Sequence, residues 1–137
     1  MVDADSLARL SLFADLSAAE LAMIAHSLDE ERYPRGAKAL RAGISGANFF
    51  VIMDGEAAVN IDGEERSRLH PGEFFGEISV LTGVPTVADV VAASEELRCA
   101  ILPGPELKPL LLRHPHVAVR MLELGAHRLR AANEWAR

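Results

Sequence analysis

The spacing of apolar positions changes twice along the chain. Behind Leu12 and Phe13, residues Leu21, Ile24, Ala25 and Leu28 recur at helical intervals and predict one apolar helix face. Ser17, with Glu20 three residues on, has the pattern of a capping box that starts this helix. The charged run Asp29–Arg32 and the Pro34-Arg35-Gly36 turn are expected to end it. From Tyr33 to about Leu102 short apolar runs follow, namely Phe49–Met53, Ala57–Ile61, Val87–Ala93 and Leu97–Leu102. They are punctuated by Gly36, Gly43, Gly46, Gly55, Gly63, Pro71-Gly72, Gly83 and Pro85. Asp54-Gly55 and Asp62-Gly63 are hairpin dipeptides, because both residue types tolerate positive φ. Turn signals roughly every 8–12 residues, without crossover helices between them, predict an antiparallel barrel or jelly roll.

The last third returns to a helical period. Pro103-Gly104-Pro105 breaks the final strand, Glu106 to Arg113 makes a short helix, and a longer one runs from about His116 to Arg137. Two stripes, Val117–Met121–Leu124 and Ala118–Leu122–Gly125–Leu129–Ala132, give that helix a wide apolar face. The face serves either packing on the barrel or a helix–helix seam between two copies; a homodimer is expected on the first stripe. The chain reads as a single domain over 1–137: helical over 1–32, β-rich over 33–102 and helical again over 103–137.

Composition narrows the function classes. With 137 residues, 50% apolar and 25% charged, the chain encloses one core and is neither disordered nor a coiled coil. A net charge of −6 argues against a surface that neutralises a nucleic-acid backbone. The arginines of the last helix (Arg120, Arg128, Arg130 and Arg137) read as a solvated face, so no DNA binding by this chain alone is expected. Cys99, the single cysteine, sits in an apolar run and is expected to be buried and inert. Asp3 and Asp5 follow Met1 where a signal segment would be basic, and no apolar stretch approaches the roughly 20 residues of a bilayer span. A cytoplasmic location and a natural start at Met1 are the expectations. The five histidines, at 26, 70, 114, 116 and 127, are scattered, which makes a cupin-type metal centre the weaker alternative. No catalytic motif is present, so the chain is expected to be a binding module and no enzyme.

The stretch with functional content runs from Leu69 to Ala92. Phe74-Phe75-Gly76-Glu77-Ile78-Ser79-Val80-Leu81 reads as a turn leading into one short helix within a β-rich region, and such a helix start offers unpaired amides to an anion. This segment resembles the phosphate-binding cassette of the cyclic nucleotide-binding domain family, whose form is Phe-Gly-Glu, a short helix, then Pro-Arg-(Ser/Thr/Ala)-Ala. The likeness extends over Leu12-Phe13 and Leu16, Gly36 and Gly43, Phe50-Val51-Ile52 with Gly55, Leu69 with Gly72, and His114-Pro115. The resemblance implies a mainly β fold with flanking helices: an antiparallel β-roll with an N-terminal helix, a cassette helix within 72–92 and two C-terminal helices.

It also implies a site of Phe75, Gly76, Glu77, Ile78, Ser79, Pro85, Thr86, Val87 and Ala88. Gly76 would let the backbone approach the cyclic phosphate. Amides around Glu77, Ile78 and Ser79 would face its oxygens, Glu77 would accept the ribose 2′-hydroxyl, and Ala88 would leave room for the ligand. The last helix would act as a lid. No cofactor is implied; the implied ligand is a cyclic nucleotide. Val87 offers no hydroxyl to a guanine, so cAMP is favoured.

One position departs from the family pattern. With Pro85 aligned to the family's proline, Thr86 stands where the phosphate-binding arginine belongs, and no Lys, Arg or His occurs between His70 and Arg98. Either Arg66, Arg68, His70 or Arg98 restores a cation from neighbouring strands, or the site takes a different small ligand or none. In the last case the chain is a ligand-independent dimerisation or protein-interaction module.

Overall fold

The computed structural model describes residues 2–45 and 47–135. Met1, Gly46 and Arg137, read above as a start, a turn glycine and a helix arginine, lie outside the described residues. The elements run α1 (Ala4–Ala8), a 3-10 turn (Ser11–Phe13), α2 (Ala18–Ser27), β1 (Asp29–Pro34), β2 (Lys38–Leu40), β3 (Asn48–Asp54), β4 (Ala57–Ile61), β5 (Glu64–Leu69) and β6 (Phe74–Phe75). They continue through α3 (Glu77–Thr82), β7 (Asp89–Ala92), β8 (Glu96–Pro103), α4 (Gly104–Arg113) and α5 (Pro115–Trp135). Two antiparallel four-stranded sheets, in the orders β1-β8-β3-β6 and β2-β7-β4-β5, face each other. This is the expected β-roll with flanking helices.

The continuous apolar run of β3 follows from its position, since a strand buried on both faces has no reason to alternate. Phe50 and Ile52 join Phe75, Leu97, Cys99, Ile101, Ala57, Leu69 and Val90 in a core between the sheets. Phe49, Val51 and Met53 point the other way, into a core shared with Leu7, Leu12, Phe13, Ile24, Leu107, Val117 and Met121 of the helical segments. The period of two thus splits one apolar run between two cores. Cys99 is fully buried in the inter-sheet core, and burial pushes its thiol up to about 12.

Local signals act as read at two points. Ser17 and Glu20 close a reciprocal capping box at the start of α2. Asp62 and Gly63 take φ of 52° and 81° in the β4–β5 turn, the two left-handed positions that a tight hairpin of this kind requires. Asp54-Gly55 closes no hairpin, because β3 and β4 lie in different sheets; its glycine, at φ 85°, turns the chain from one sheet to the other.

Three boundaries also differ from the expectation. Asp29–Arg32 ends no helix but opens β1, paired with β8 from Asp29↔Ile101 to Pro34↔Glu96. Its charges are those of an edge strand, with Glu30 bonded to Arg98 at 2.9 Å and Arg32 to Glu96 at 3.3 Å. The sheet region therefore spans 29–103 instead of 33–102. α4 begins at Gly104, two residues before Glu106, because Pro105 is compatible with a first helical turn. β5 carries no apolar signal, since its side chains face solvent until Leu69 and its pairing with β4 comes from the hairpin.

Candidate functional site

β6 is two residues long, and its alternation divides the site. Phe75 enters the roll and stacks on Phe50 with ring centres 4.5 Å apart and planes 7° from parallel. Phe74 faces the helical core and meets Phe49 at 5.9 Å. Gly76 then turns the chain into α3 with φ of 89°, and a β-carbon there would lie 2.5 Å from the Asn48 carbonyl oxygen. Only glycine satisfies both the left-handed backbone and this contact with β3.

Glu77, the next residue, has a side chain only 12% exposed. Burial raises its carboxyl above the ordinary value; the Arg128 charge and the amides of Glu77 and Ile78 pull in the opposite direction. Glu77 Oε1 lies 3.6 Å from Arg128 Nη1, while Oε2 is buried without a hydrogen-bond partner. That orphan acceptor is the chemical signature of the site: a buried carboxylate oxygen with room in its chemistry for one donor.

The other expected residues fall on two sides. Ser79 is buried, and its hydroxyl donates to the Ile44 carbonyl at 3.5 Å. Thr86 and Ala88 are half-buried, whereas Ile78, Pro85 and Val87 are exposed, Val87 at 72%. The Thr86 hydroxyl donates to the Arg41 carbonyl at 2.9 Å. Asp89 accepts the Ala42 amide at 2.8 Å and pairs with Lys38 at 3.2 Å, and these contacts hold its carboxyl below the usual value.

None of the four cations considered from the sequence pairs with a residue of the Phe75–Ala88 stretch. Arg66 pairs with Glu64, Arg68 with Glu56 and Glu65, His70 with Glu73 and Glu56, and Arg98 with Glu30. The cation at Glu77 comes from α5 instead. Arg128 lies 4.5 Å above the Phe74 ring, donates to the Phe74 carbonyl and sits 3.9 Å from Glu73 Oε2. The reading of the α5 arginines as a solvated face is therefore wrong for Arg128, and for Arg120, which bonds Asp15 at 2.8 Å. Spacing carried the signal: Arg128 extends the Val117–Met121–Leu124 stripe by four residues, onto the face that packs on the core.

That same stripe is unavailable to a second copy. Val117 and Met121 are buried in the helical core and Leu124 packs against it, because α5 needs a face for its own domain before it can offer one to another. The second stripe remains open, with Leu122 and Leu129 at 74% and 64% exposure. An open groove of about 530 Å³ between α2 and α4, lined by Met23, Leu102, Leu110, Arg113 and His114 among others, shares no residue with the cassette. Among the described residues no three His, Cys, Asp or Glu side chains group as metal ligands, and no helix is long and apolar enough to cross a membrane.

Comparison with known proteins agrees with this geometry. A relative from Rhodopseudomonas palustris, named "Putative potassium channel protein", is 32% identical over 127 residues, covering 90% of this chain and 31% of that protein. The cAMP-dependent protein kinase regulatory subunit of Mycosarcoma maydis is 42% identical over 86 residues, covering 60% of this chain and 16% of its own length. The catabolite activator protein of Thermus thermophilus superposes with a TM-score of 0.76 at 28% identity, over 92% of this chain and 61% of that one. The chain spans about a third or less of the curated relatives it matches. Residues 30–114, from the edge strand β1 to the end of α4, match the sequence profile of the cyclic nucleotide-binding domain. With the two-sheet roll, the Gly76 turn and the buried Glu77 in place, the chain belongs to the cyclic nucleotide-binding domain family.

Proposed function

We propose that this chain is a cytoplasmic regulatory sensor that binds cAMP at the cassette Phe75–Ala88, more weakly than relatives that carry the cassette arginine. The observation that carries this reading is Glu77, a buried carboxylate with one unpartnered oxygen beside a left-handed glycine. A ribose hydroxyl supplies the donor that this oxygen lacks. Val87, exposed and without a hydroxyl, favours adenine over guanine.

The weakness follows from Thr86. A hydrogen bond to a charged group contributes about 1.5–3 kcal/mol, so the missing arginine costs roughly ten- to a hundredfold in affinity. The threonine hydroxyl brings no charge, and its proton is already given to the Arg41 carbonyl. Calorimetric titration with cAMP and cGMP, beside Thr86→Arg, tests the reading. Micromolar binding of cAMP by the native protein, weaker binding of cGMP and tighter binding by Thr86→Arg are expected. Silence of the native protein overturns it.

A second reading rests on α5. Ala118, Leu122, Gly125, Leu129 and Ala132 keep a heptad spacing on the open side of the helix, with small residues alternating with leucines. Two copies packed along this stripe would form a dimerisation module whose stability ignores nucleotides. A dimeric mass by light scattering with no thermal shift by cAMP favours this reading; a shift by cAMP favours the sensor.

A further inference from the structure

Residues 41–44, which follow β2, are stitched to residues 86–89 at the end of the cassette. Gly43 N–H donates to the Thr86 carbonyl at 2.8 Å, and Thr86 N–H donates to the Ile44 carbonyl at 2.9 Å. The Thr86 hydroxyl donates to the Arg41 carbonyl, and Ala42 N–H donates to Asp89 Oδ1. Residues 41–44 thus run beside 86–89, and the backbone of Arg41 touches the side chain that replaces the cassette arginine. The two positions are 45 residues apart in sequence.

The charges around this seam are unequal in their availability. Lys38 is held by Asp89 at 3.2 Å, and Arg128 by Glu77 and Phe74. Arg41 is exposed, and no carboxylate among the described residues pairs with it. Asp89 does not consume it, since one carboxylate oxygen takes the Ala42 amide and the other takes Lys38. The Arg41 charge is nonetheless close enough to help lower the Asp89 carboxyl, and the Arg41 backbone carbonyl lies 2.9 Å from the Thr86 hydroxyl.

We propose that Arg41 supplies, across the fold, the cation that position 86 lacks, and that it binds the phosphate of the nucleotide. This inference rests on the cassette being the nucleotide site, as proposed above. The guanidinium presents a planar fork of donors that matches two phosphate oxygens, which a threonine hydroxyl cannot do. The loop is already fastened by backbone bonds, so little chain ordering is required when the ligand arrives. The arrangement also gives Thr86 a purpose: its hydroxyl fastens the loop that carries the replacement charge.

The test is titration of cAMP and of adenosine, which lacks the phosphate, into the native protein, Arg41→Gln, Thr86→Arg and the double variant. Arg41→Gln keeps the backbone carbonyl that Thr86 uses, and unfolding curves verify that it is folded. Expected is a loss of cAMP affinity of about tenfold in Arg41→Gln, the exposed position holding it to the lower end of a charged contact. Adenosine affinity should be unchanged, and Thr86→Arg should restore cAMP binding in the double variant. Native binding of cAMP that Arg41→Gln leaves intact overturns the role of Arg41 and leaves the cassette reading standing. Native silence with binding by Thr86→Arg overturns both, because the pocket is then sound and no residue of the native chain supplies the cation. Silence of both proteins overturns the nucleotide site itself.

Discussion

Arg128 reaches Glu77 across the boundary between α5 and the roll, with 3.6 Å between Nη1 and Oε1. The same guanidinium lies on the Phe74 ring and donates to the Phe74 carbonyl, so one side chain joins the last helix to both residues that flank Phe75-Gly76. The carboxylate assigned to the ligand is also the anchor of the helix expected to act as a lid. Under the proposed function a ribose hydroxyl that donates to Oε2 shares this carboxylate with Arg128, which stands at Oε1.

Arg128→Ala should therefore loosen the outer half of α5 while leaving the roll intact. Loss of a charge-assisted hydrogen bond and a cation–π contact at a partly exposed site predicts a destabilisation of about 1–2 kcal/mol. Hydrogen exchange should speed up in α5 beyond Leu124 and remain slow in β3 and β8. Uniform acceleration across the chain would show that Arg128 is only one more core contact.

Glu77 makes stability depend on pH in a direction opposite to the other shifted carboxylates. Its folded value lies above the ordinary 4.5, so the folded state binds more protons than the unfolded one between those values. Its contribution is present below 4.5 and is lost as pH rises through the folded value. Glu20, Glu30, Glu65 and Asp89 are lowered and act in the reverse sense, losing their contribution as pH falls. Glu77→Gln removes only the first effect. Urea unfolding of this variant should show its stability rising relative to the native protein as pH goes from 4.5 toward neutrality. A pH-independent difference would contradict the burial of this carboxylate. The variant should also bind cAMP less well, because a carboxylate acceptor becomes a neutral amide.

Gly76→Ala adds a methyl group in a left-handed backbone, 2.5 Å from the Asn48 carbonyl oxygen. Strain at such a position costs about 1–3 kcal/mol, and the overlap with β3 adds to it. Chemical unfolding should reveal the loss. Gly83→Ala is a control: it shares the positive φ but has open space at its β-carbon, and should cost less.

Leu122→Glu with Leu129→Glu tests the open stripe of α5. Both side chains are largely exposed, so stability at low protein concentration should stay within about 0.5 kcal/mol per site. If the stripe is a seam between copies, light scattering should show a lower mass than that of the native protein. Met121→Glu, on the buried face, should unfold the domain instead.

Local information was enough for part of this. The capping box at Ser17 and Glu20, the hairpin at Asp62-Gly63 and the turn at Gly76 each depend on neighbours a few residues away. They were legible in the sequence for that reason. The cassette was legible in the same way, since Phe75 to Ala88 is one continuous stretch. β1 and β5 were not, because their polar residues become strands only by pairing with β8 and β4. Asp54-Gly55 misled for a related reason: a dipeptide marks a turn, but which strand pairs with which is settled elsewhere in the chain.

From the order of residues alone one reads the class of fold, the family resemblance and the stretch without a cation between His70 and Arg98. Which charges stand near that stretch is a product of folding. Arg128 is 51 residues from Glu77, and Arg41, whose backbone carbonyl takes the Thr86 hydroxyl, is 45 residues from that threonine. Contacts of this kind depend on distance in space: spacing places Arg128 on the packed face of α5, but no periodicity in the chain encodes which carboxylate that face will meet. The same reason separates the two apolar stripes of α5, one packed in the helical core and the other with Leu122 and Leu129 open.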